Sequence, residues 1–302
     1  MDSVTESDSP LVGIVTLNWN SYEDTAKCLN SIRELGYNNY RVYVADNGSE
    51  DGSLEALKKE FDCCKFIEND ENLGFAGGNN PAISEAFSDG SDYVLLLNND
   101  AVVEPDLLGH LVETAEEHSN AAIVGGVALN SEGEVHSAGG KFSPVLTTLS
   151  HNTEPDDSVY ETSFISGALM LLRREFITEV DGLNDDYFFG MEDAELCWQA
   201  TQQGWNLLIN PKARIYHDIG ASAERGGPFR YYHDARNRLY FAHSNLTIPE
   251  QTVFFSFFFM SRLFRFIQWG ATGNSNLIRA VVLGIFDFSR NADYRGVHDF
   301  KR

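Results

Sequence analysis

The 302-residue chain is short of basic side chains: 22 Lys and Arg stand against 45 Asp and Glu, a formal net charge of −23. That balance excludes a general nucleic-acid binder, whose footprint is a strongly basic face. Cysteine is equally scarce. The four present (Cys28, Cys63, Cys64, Cys197) make no C-x-x-C pair and no Cys/His metal spacing, which argues against a disulfide scaffold and for a reducing cytoplasm. No apolar run reaches the roughly 20 residues needed to span a bilayer. Residues 1–10 carry three acids and no apolar core, so they read as a disordered tail rather than a signal peptide. Internal repeats and linkers rich in Pro, Gly or Ser are absent as well.

Hydrophobic residues are not scarce. At 43% of the chain, with 12% aromatics, they suffice for a full core, so the acidity does not signal disorder. The charge is also uneven. Residues 1–211 hold 9 basic and 38 acidic side chains, net −29, whereas residues 212–302 hold 13 and 7, net +6. The acidic part fits a highly solvated surface suited to a salty, halophilic cytoplasm. The basic, aromatic tail needs its own explanation.

From Leu11 to Asp100, short apolar runs alternate with helical stretches, the pattern of an α/β fold with a mostly parallel sheet. Strands are expected at 11–17, 40–45, 65–67 and 93–97, and helices at 22–35, 53–61 and 78–87. The runs are continuous and rich in Val, Ile and Leu, as in strands buried on both faces. A helix opened by Glu104-Pro105-Asp106 and a strand at 121–129 follow. Residues 130–160 predict a hairpin and a mobile loop. Strand at 164–172, helix at 192–203 and strand at 205–209 complete an α/β domain over 11–241. Residues 242–302 read as a C-terminal helical appendage.

In that appendage Thr252–Ser261 is an uncharged, Phe-rich block, followed by Arg262 and Arg265, and a second apolar run covers 277–288. Two readings apply. The helices lie in a membrane interface, with Arg at phosphate head groups and Phe or Trp269 in the acyl boundary, or their aromatics pack on the α/β domain.

Parallel sheets bind ligands at the carboxyl ends of their strands, and four segments fall there. Thr16-Leu-Asn-Trp-Asn20 ends the first strand. Asp46-Asn-Gly-Ser49 ends the second, where a carboxylate can accept hydrogen bonds from a base or ribose, although D-N-G-S is also a turn signal. Asn72-Leu-Gly-Phe-Ala-Gly-Gly-Asn79 follows the third, and its backbone N–H groups from Gly74 onward could approach an anionic ligand. It does not fit the dinucleotide fingerprint G-x-G-x-x-G. Asn98-Asn99-Asp100 ends the most hydrophobic strand, where a carboxylate can hold Mg²⁺ or Mn²⁺ together with diphosphate oxygens and water.

These motifs, in this order, resemble glycosyltransferase family 2, the inverting nucleotide-sugar transferases of GT-A fold, and within it the rhamnosyltransferase-like branch. The resemblance covers about residues 11–241. It includes Phe189-Gly-Met-Glu-Asp-Ala-Glu-Leu-Cys197, which is similar to the family's E-D-x-(D/E)-L-C segment, followed by Gly204-Trp205, Pro211 and His217. The resemblance implies a donor pocket formed by Asn20, Asp46, Asn72, Gly74, Asn79, Asn98, Asn99 and Asp100, with Asp46 on the nucleoside. It implies a divalent metal on Asp100 and His217. Asn98 stands where the family's D-x-D motif has its first Asp, and so is expected on ribose. The resemblance further implies Asp193 as catalytic base, with Glu192 holding the acceptor. Adjacent helical residues point about 100° apart, so both cannot face one proton. Arg236 and Arg238, in Tyr231-Tyr-His-Asp-Ala-Arg-Asn-Arg-Leu-Tyr240, resemble a stretch of that branch and are expected on diphosphate of donor or acceptor.

The implied activity is non-processive transfer of one sugar from a UDP- or dTDP-sugar to a lipid-linked saccharide or glycan acceptor, in surface glycan synthesis or protein glycosylation. The implied location is cytoplasmic and peripheral to the membrane. A processive synthase would need a Q-x-x-R-W signature and several membrane spans, and neither is present. A sugar-phosphate nucleotidyltransferase would need a basic Gly-rich N-terminal loop, also absent. A non-catalytic nucleotide-sugar-binding subunit would show a broken constellation, whereas Asp100 and Asp193 are both in place.

Overall fold

A computed structural model describes residues 9–217 and 227–290. In chain order the first half runs β1 (Val12–Asn18), α1 (Tyr22–Ile32), β2 (Tyr40–Asn47), α2 (Ser53–Glu60), β3 (Lys65–Asn69), α3 (Gly74–Ser88) and β4 (Tyr93–Leu97). Then come β5 (Val102–Val103), α4 (Leu107–Glu117), β6 (Ala121–Leu129), β7 (Val135–Ser137), β8 (Gly140–Ser143), β9 (Thr148–His151), β10 (Tyr160–Glu161), β11 (Leu169–Arg173) and α5 (Arg174–Val180). The chain continues through α6 (Glu192–Gln202), β12 (Asn206–Tyr216), α7 (Pro228–Asn245), α8 (Ile248–Ala271) and α9 (Ser275–Arg290).

The main sheet has the order β10-β12-β6-β11-β4-β1-β2-β3. Its pairs β3–β2, β2–β1, β1–β4 and β6–β12 are parallel. All of Tyr93–Leu97 is buried, the state that an uninterrupted apolar run predicts for a central strand. Helices cover both faces, and each face has its own apolar core. The parallel strands β1, β2, β3 and β4 therefore deliver Asn18, Asn47, Asn69 and Asn98 to one edge of the sheet.

Several local expectations shift. The strand expected at 164–172 begins only at Leu169 and runs antiparallel to both β4 and β6. Phe164 instead bridges Gly140 of β8. Helix α3 starts at Gly74, inside the glycine-rich segment, rather than at Gly78. Pro105 lies just outside α4, which starts after Asp106, and the strand expected at 205–209 extends to Tyr216. The hairpin expected within 130–160 is β8–β9. Of the tail expected at 1–10, residues 1–8 lie outside the described residues, while the carbonyls of Ser9 and Pro10 accept hydrogen bonds from Asn39 and Tyr37. Helix α7 passes through residue 241 without a break.

The appendage is two helices packed unequally. Helix α9 lies close along α7, where a Cβ on Gly284 would come within 2.4 Å of Tyr232 O. Helix α8 buries Phe254, Phe258, Arg262 and Trp269. This corrects part of the interfacial reading: Arg262 faces inward and donates to Asp234 at 2.5 Å, and Trp269 packs on Tyr231 rather than outward. The opposite face of α8 is apolar and open, with Val253, Phe257, Met260, Phe264 and Ile267 between 39% and 72% exposed. Among the described residues no helix is long and apolar enough to cross a membrane.

Candidate active site

The edge formed by β1, β2 and β4 is organised by Asn18. Residues 12, 14, 16 and 18 of β1 share one face by the strand's period of two, and all are fully buried, so the amide of Asn18 must find partners inside. Its Nδ2 donates to Asp46 Oδ1 at 2.7 Å, with Ser49 Oγ and Ser53 Oγ at 3.1 and 3.0 Å. Its Oδ1 accepts from Thr25 Oγ1 at 2.8 Å, and Thr25 Oγ1 in turn accepts from Asn99 Nδ2 at 2.9 Å. Asp46 and Asn99 are thus the two ends of one hydrogen-bonded chain across three strand ends.

Asp46 is only 2% exposed. Its carboxylate also accepts from Ser49 N at 2.9 Å and Ser49 Oγ at 2.7 Å. Three of about four acceptor positions are therefore used within the protein, and Asp46 builds the D-N-G-S turn at least as much as it faces a ligand. Asn20, at a φ of 51°, accepts from Glu50 N at 2.8 Å through Oδ1. It closes the loop after β1 onto the loop after β2.

The glycine-rich segment differs from the anion cradle expected of it. Asn47, 2% exposed, donates to Asn72 Oδ1 and Gly74 O and accepts from Leu73 N. Gly74 N donates to Asn72 Oδ1 at 2.9 Å, and Phe75 N donates to Phe188 O at 3.0 Å. The amides of residues 73–75 are spent on protein acceptors. Gly74 is needed for another reason: at φ +78 a Cβ there would lie 2.3 Å from Phe188 O. The segment presses against the loop that precedes the Glu192-Asp193 pair. Asn79, 1% exposed, donates to Phe75 O within its own helix. Gly74 and Asn79 thus act on the wall of the site rather than on its surface.

Asn98, Asp100 and His217 do converge. His217 Nε2 lies 3.0 Å from Asp100 Oδ1 and 3.3 Å from Asn98 Nδ2. Cis ligands about 2.1 Å from an octahedral metal are about 3.0 Å apart, so the carboxylate and imidazole already sit at the edge length a Mg²⁺ or Mn²⁺ site requires. Among the described residues no group of three or more His, Cys, Asp or Glu could hold a metal. Asp100 and His217 are thus the two adjacent side chains of this cluster with the chemistry to hold a divalent cation. His136 on β7 stands beside this pair, its ring 5.9 Å from that of His217.

Asp193 is linked to that cluster through the backbone at residues 167 and 168. Asn98 N donates to Ala168 O at 3.1 Å, and the preceding residue, Gly167, donates its N–H to Asp193 Oδ2 at 3.2 Å. Ala194 N donates to Asp193 Oδ1 at 2.8 Å. Asp193 stays partly open, whereas Glu192 is buried, with Oε2 unpartnered. Burial raises the Asp193 carboxyl above its ordinary value, opposed by the N–H groups of Gly167 and Ala194. Burial also raises Glu192, to about 8, and the neighbouring Asp193 charge adds to it. The two carboxyls therefore have unlike environments, as separate acid–base roles demand.

The pair emerges from an unusual turn. Gly190 and Met191 both lie in the left-handed region, at φ 80° and 82°, a conformation costing a non-glycine residue about 1–3 kcal/mol. Residues of the preceding loop are held from α6 and α7. Glu195, 2% exposed, accepts from Asn184 and Asn245.

Arg236 and Arg238 are not presented to a ligand. Arg236 is 4% exposed and donates to Asp186 O at 2.5 Å. Arg238 is 9% exposed and donates to Thr147 Oγ1 at 2.7 Å and Leu146 O at 2.9 Å. Both guanidinium groups brace loops around the site, a correction to the diphosphate role expected of them. Asn18, Asn47, Glu195 and Asn237 organise the site from within the quoted motifs, although nothing in those motifs assigned them a role. The available signal was a polar side chain on an inward position of a buried element.

The model of the family described as Glycosyl transferase family 2 matches residues 13–180. The chain is 26% identical over 209 residues to the N-acetylglucosaminyl-diphospho-decaprenol L-rhamnosyltransferase of Mycobacterium tuberculosis, covering 61% of this chain and 68% of that one. It is 24% identical over 245 residues to the low-salt glycan biosynthesis hexosyltransferase Agl10 of Haloferax volcanii, covering 77% and 76%. In fold it is similar to the mannosyltransferase PcManGT of Pyrobaculum calidifontis, solved with GDP-Man and Mn²⁺ (TM-score 0.59, 16% identity, 93% of this chain and 89% of that one). It is also similar to GalNAc-T7, solved with UDP, GalNAc and Mn²⁺ (TM-score 0.62, 15% identity, 78% of this chain and 48% of that one).

Proposed function

The chain belongs to glycosyltransferase family 2, and from that premise we propose that it transfers one sugar, with inversion, from a UDP- or dTDP-sugar to a lipid-linked saccharide. The observation that carries this reading is the convergence of Asn98, Asp100 and His217, linked through Ala168 and Gly167 to Asp193. Asp193 takes the proton of the acceptor hydroxyl as its oxygen bonds to the anomeric carbon. The bond from that carbon to the donor phosphate breaks on the opposite side, and its electron pair leaves with the nucleoside diphosphate. Asp100 and His217 would hold a divalent cation, which when bound neutralises the charge developing on the diphosphate. Glu192, expected to hold the acceptor, is buried with Oε2 unpartnered, and its raised carboxyl pKa suits a group that stays beside the base rather than competing with it.

The lipid-linked acceptor is supported by the mycobacterial relative, whose name specifies a saccharide on a diphospho-decaprenol. The haloarchaeal relative is named for low-salt glycan biosynthesis. Together with the −29 charge of residues 1–211, it supports surface glycan assembly or protein glycosylation in a halophile. The test is a donor screen with the purified protein, following release of nucleoside diphosphate with and without Mn²⁺ in the presence of a polyprenyl-diphosphate saccharide. Acceptor-dependent release from one UDP- or dTDP-sugar is expected. Absence of release from every donor would overturn the reading.

A lipid-borne acceptor requires the enzyme to reach a membrane surface, and α8 supplies the face. Its exposed Val253, Phe257, Met260, Phe264 and Ile267 recur at spacings of three and four, and no acidic residue occurs between Glu250 and Asp287. Arg265, Arg279 and Arg290 are exposed on the two helices, so this surface suits anionic lipid. We expect co-sedimentation with phosphatidylglycerol vesicles, weakened at least tenfold by Phe264→Asp combined with Ile267→Asp. Equal binding by the variant, or none by the parent protein, would refute this surface.

A further inference from the structure

Helix α7 presents three consecutive residues, Arg236, Asn237 and Arg238, to the loops around the site, and the middle one bonds the loop that leads into Glu192 and Asp193. Asn237 is fully buried. Its Nδ2 donates to Gly190 O at 2.8 Å and to Phe189 O at 3.0 Å, and its Oδ1 accepts from Arg236 Nη1 at 3.1 Å. Both amide protons are therefore spent on the two carbonyls that immediately precede Met191. Those carbonyls belong to the left-handed turn at Gly190 and Met191, from which Glu192 and Asp193 emerge. A turn that is intrinsically unfavourable persists only where its surroundings determine it.

The rest of α6 is secured elsewhere. Glu195 accepts from Asn184 and Asn245, and Cys197 Sγ accepts from Ile165 N. Loss of the Asn237 amide would leave that helix docked while releasing its first turn. Phe75 N on Phe188 O and Arg236 on Asp186 O hold the loop further back, and within the turn itself the Gly190 N–H bonds the Glu192 carboxyl, so Asn237 adds the grip on the Gly190 carbonyl from a separate helix.

We propose that Asn237 is a positioning residue for the transfer reaction: by gripping the carbonyls of Phe189 and Gly190 it fixes the turn that aims Asp193 at the acceptor hydroxyl. This rests on the reading of Asp193 as base. A misplacement of about 1 Å costs on the order of 10²-fold in rate, and the penalty falls on the chemical step because Asn237 touches neither strand end of the donor side.

The test compares Asn237→Ala with Gly190→Ala. A Cβ on Gly190 would meet nothing within 4 Å, so the second variant disturbs the same turn through its backbone alone. Both are expected to lower kcat, by at least 30-fold and about tenfold respectively, and to displace the acid limb of the pH–rate profile. The donor KM and the affinity for UDP or dTDP with Mn²⁺ should stay within twofold. The proposal is overturned if Asn237→Ala keeps kcat within threefold, or if kcat and nucleotide affinity fall together with thermal stability. If Asn237→Ala does not fold, an unchanged kcat in Gly190→Ala overturns it. Asp193→Asn separates the two ideas: transfer surviving in that variant removes the base itself, whereas its loss alongside an active Asn237→Ala removes only the positioning role.

Discussion

Asp193→Asn is expected to lower the rate of sugar transfer by about 10²–10⁴-fold, the range for loss of a general base, while UDP or dTDP binding with Mn²⁺ stays unchanged. The amide nearly preserves shape but cannot take the acceptor proton. It also keeps only one of the two oxygens that now accept from Gly167 N and Ala194 N, a loss of about 1 kcal/mol that removal of a buried charge opposes. Thermal unfolding separates that loss from the kinetic one. The pH profile supplies a second check. Burial raises the Asp193 carboxyl above its ordinary value, and a base works only when ionised. In the parent enzyme kcat/KM should therefore fall as pH drops through that raised value, and this acid limb should vanish in the residual activity of the variant. Transfer within threefold of the parent would exclude Asp193 as base.

Removal of the divalent cation is expected to be nearly as damaging. The protein provides one carboxylate and one imidazole, and no third ligand of that kind exists among the described residues. Mn²⁺ alone should therefore bind weakly, and UDP or dTDP alone weakly too, since a diphosphate meets an acidic protein. The two together should bind at least 100-fold more tightly than either alone, as seen by calorimetry. Asp100→Ala should abolish that synergy, and chelation by EDTA should do the same reversibly. His217→Ala should weaken it by about 10–100-fold, on the scale seen for groups supporting a metal site. Nucleotide affinity indifferent to both Mn²⁺ and Asp100→Ala would rule out the metal site.

The parts of this protein that were readable in advance share a property. Strands β1, β2 and β4 are apolar runs whose ends carry Asn and Asp, and the period of a strand together with the handedness of βαβ connections brings such ends to one edge. Asp100 could be singled out by its place at a strand end, and Asp193, in the first turn of α6, by the resemblance of its segment to the family's E-D-x-(D/E)-L-C motif. His217 emerged beside Asp100 because β12 runs parallel to β6 past the same edge. The departures are equally specific. Residues 164–172 look like one strand, yet an antiparallel β11 starts only at Leu169 after Phe164 has bridged Gly140, and strand direction leaves no trace in an apolar run. Gly74 looks like part of an anion cradle because its packing partner, the carbonyl of Phe188, is more than a hundred residues away.

The amino-acid sequence by itself determined the sheet, the family and the placement of acids at the strand ends, because hydrophobic period and motif order are local properties of the chain. Only the tertiary structure decided what the buried polar residues do. Arg236, Arg238 and Asn237 form a triplet that suggests phosphate recognition, yet their partners include the backbone carbonyls of Asp186, Leu146, Phe189 and Gly190. Every residue carries such a carbonyl, so no side-chain pattern marks which one will be left unpaired in the fold. Arg262 shows the same limit from the membrane side. On a helix wheel it interrupts an apolar block, but the packing of α8 on α7 turns it inward to Asp234 and leaves the Phe264 and Ile267 face to the outside.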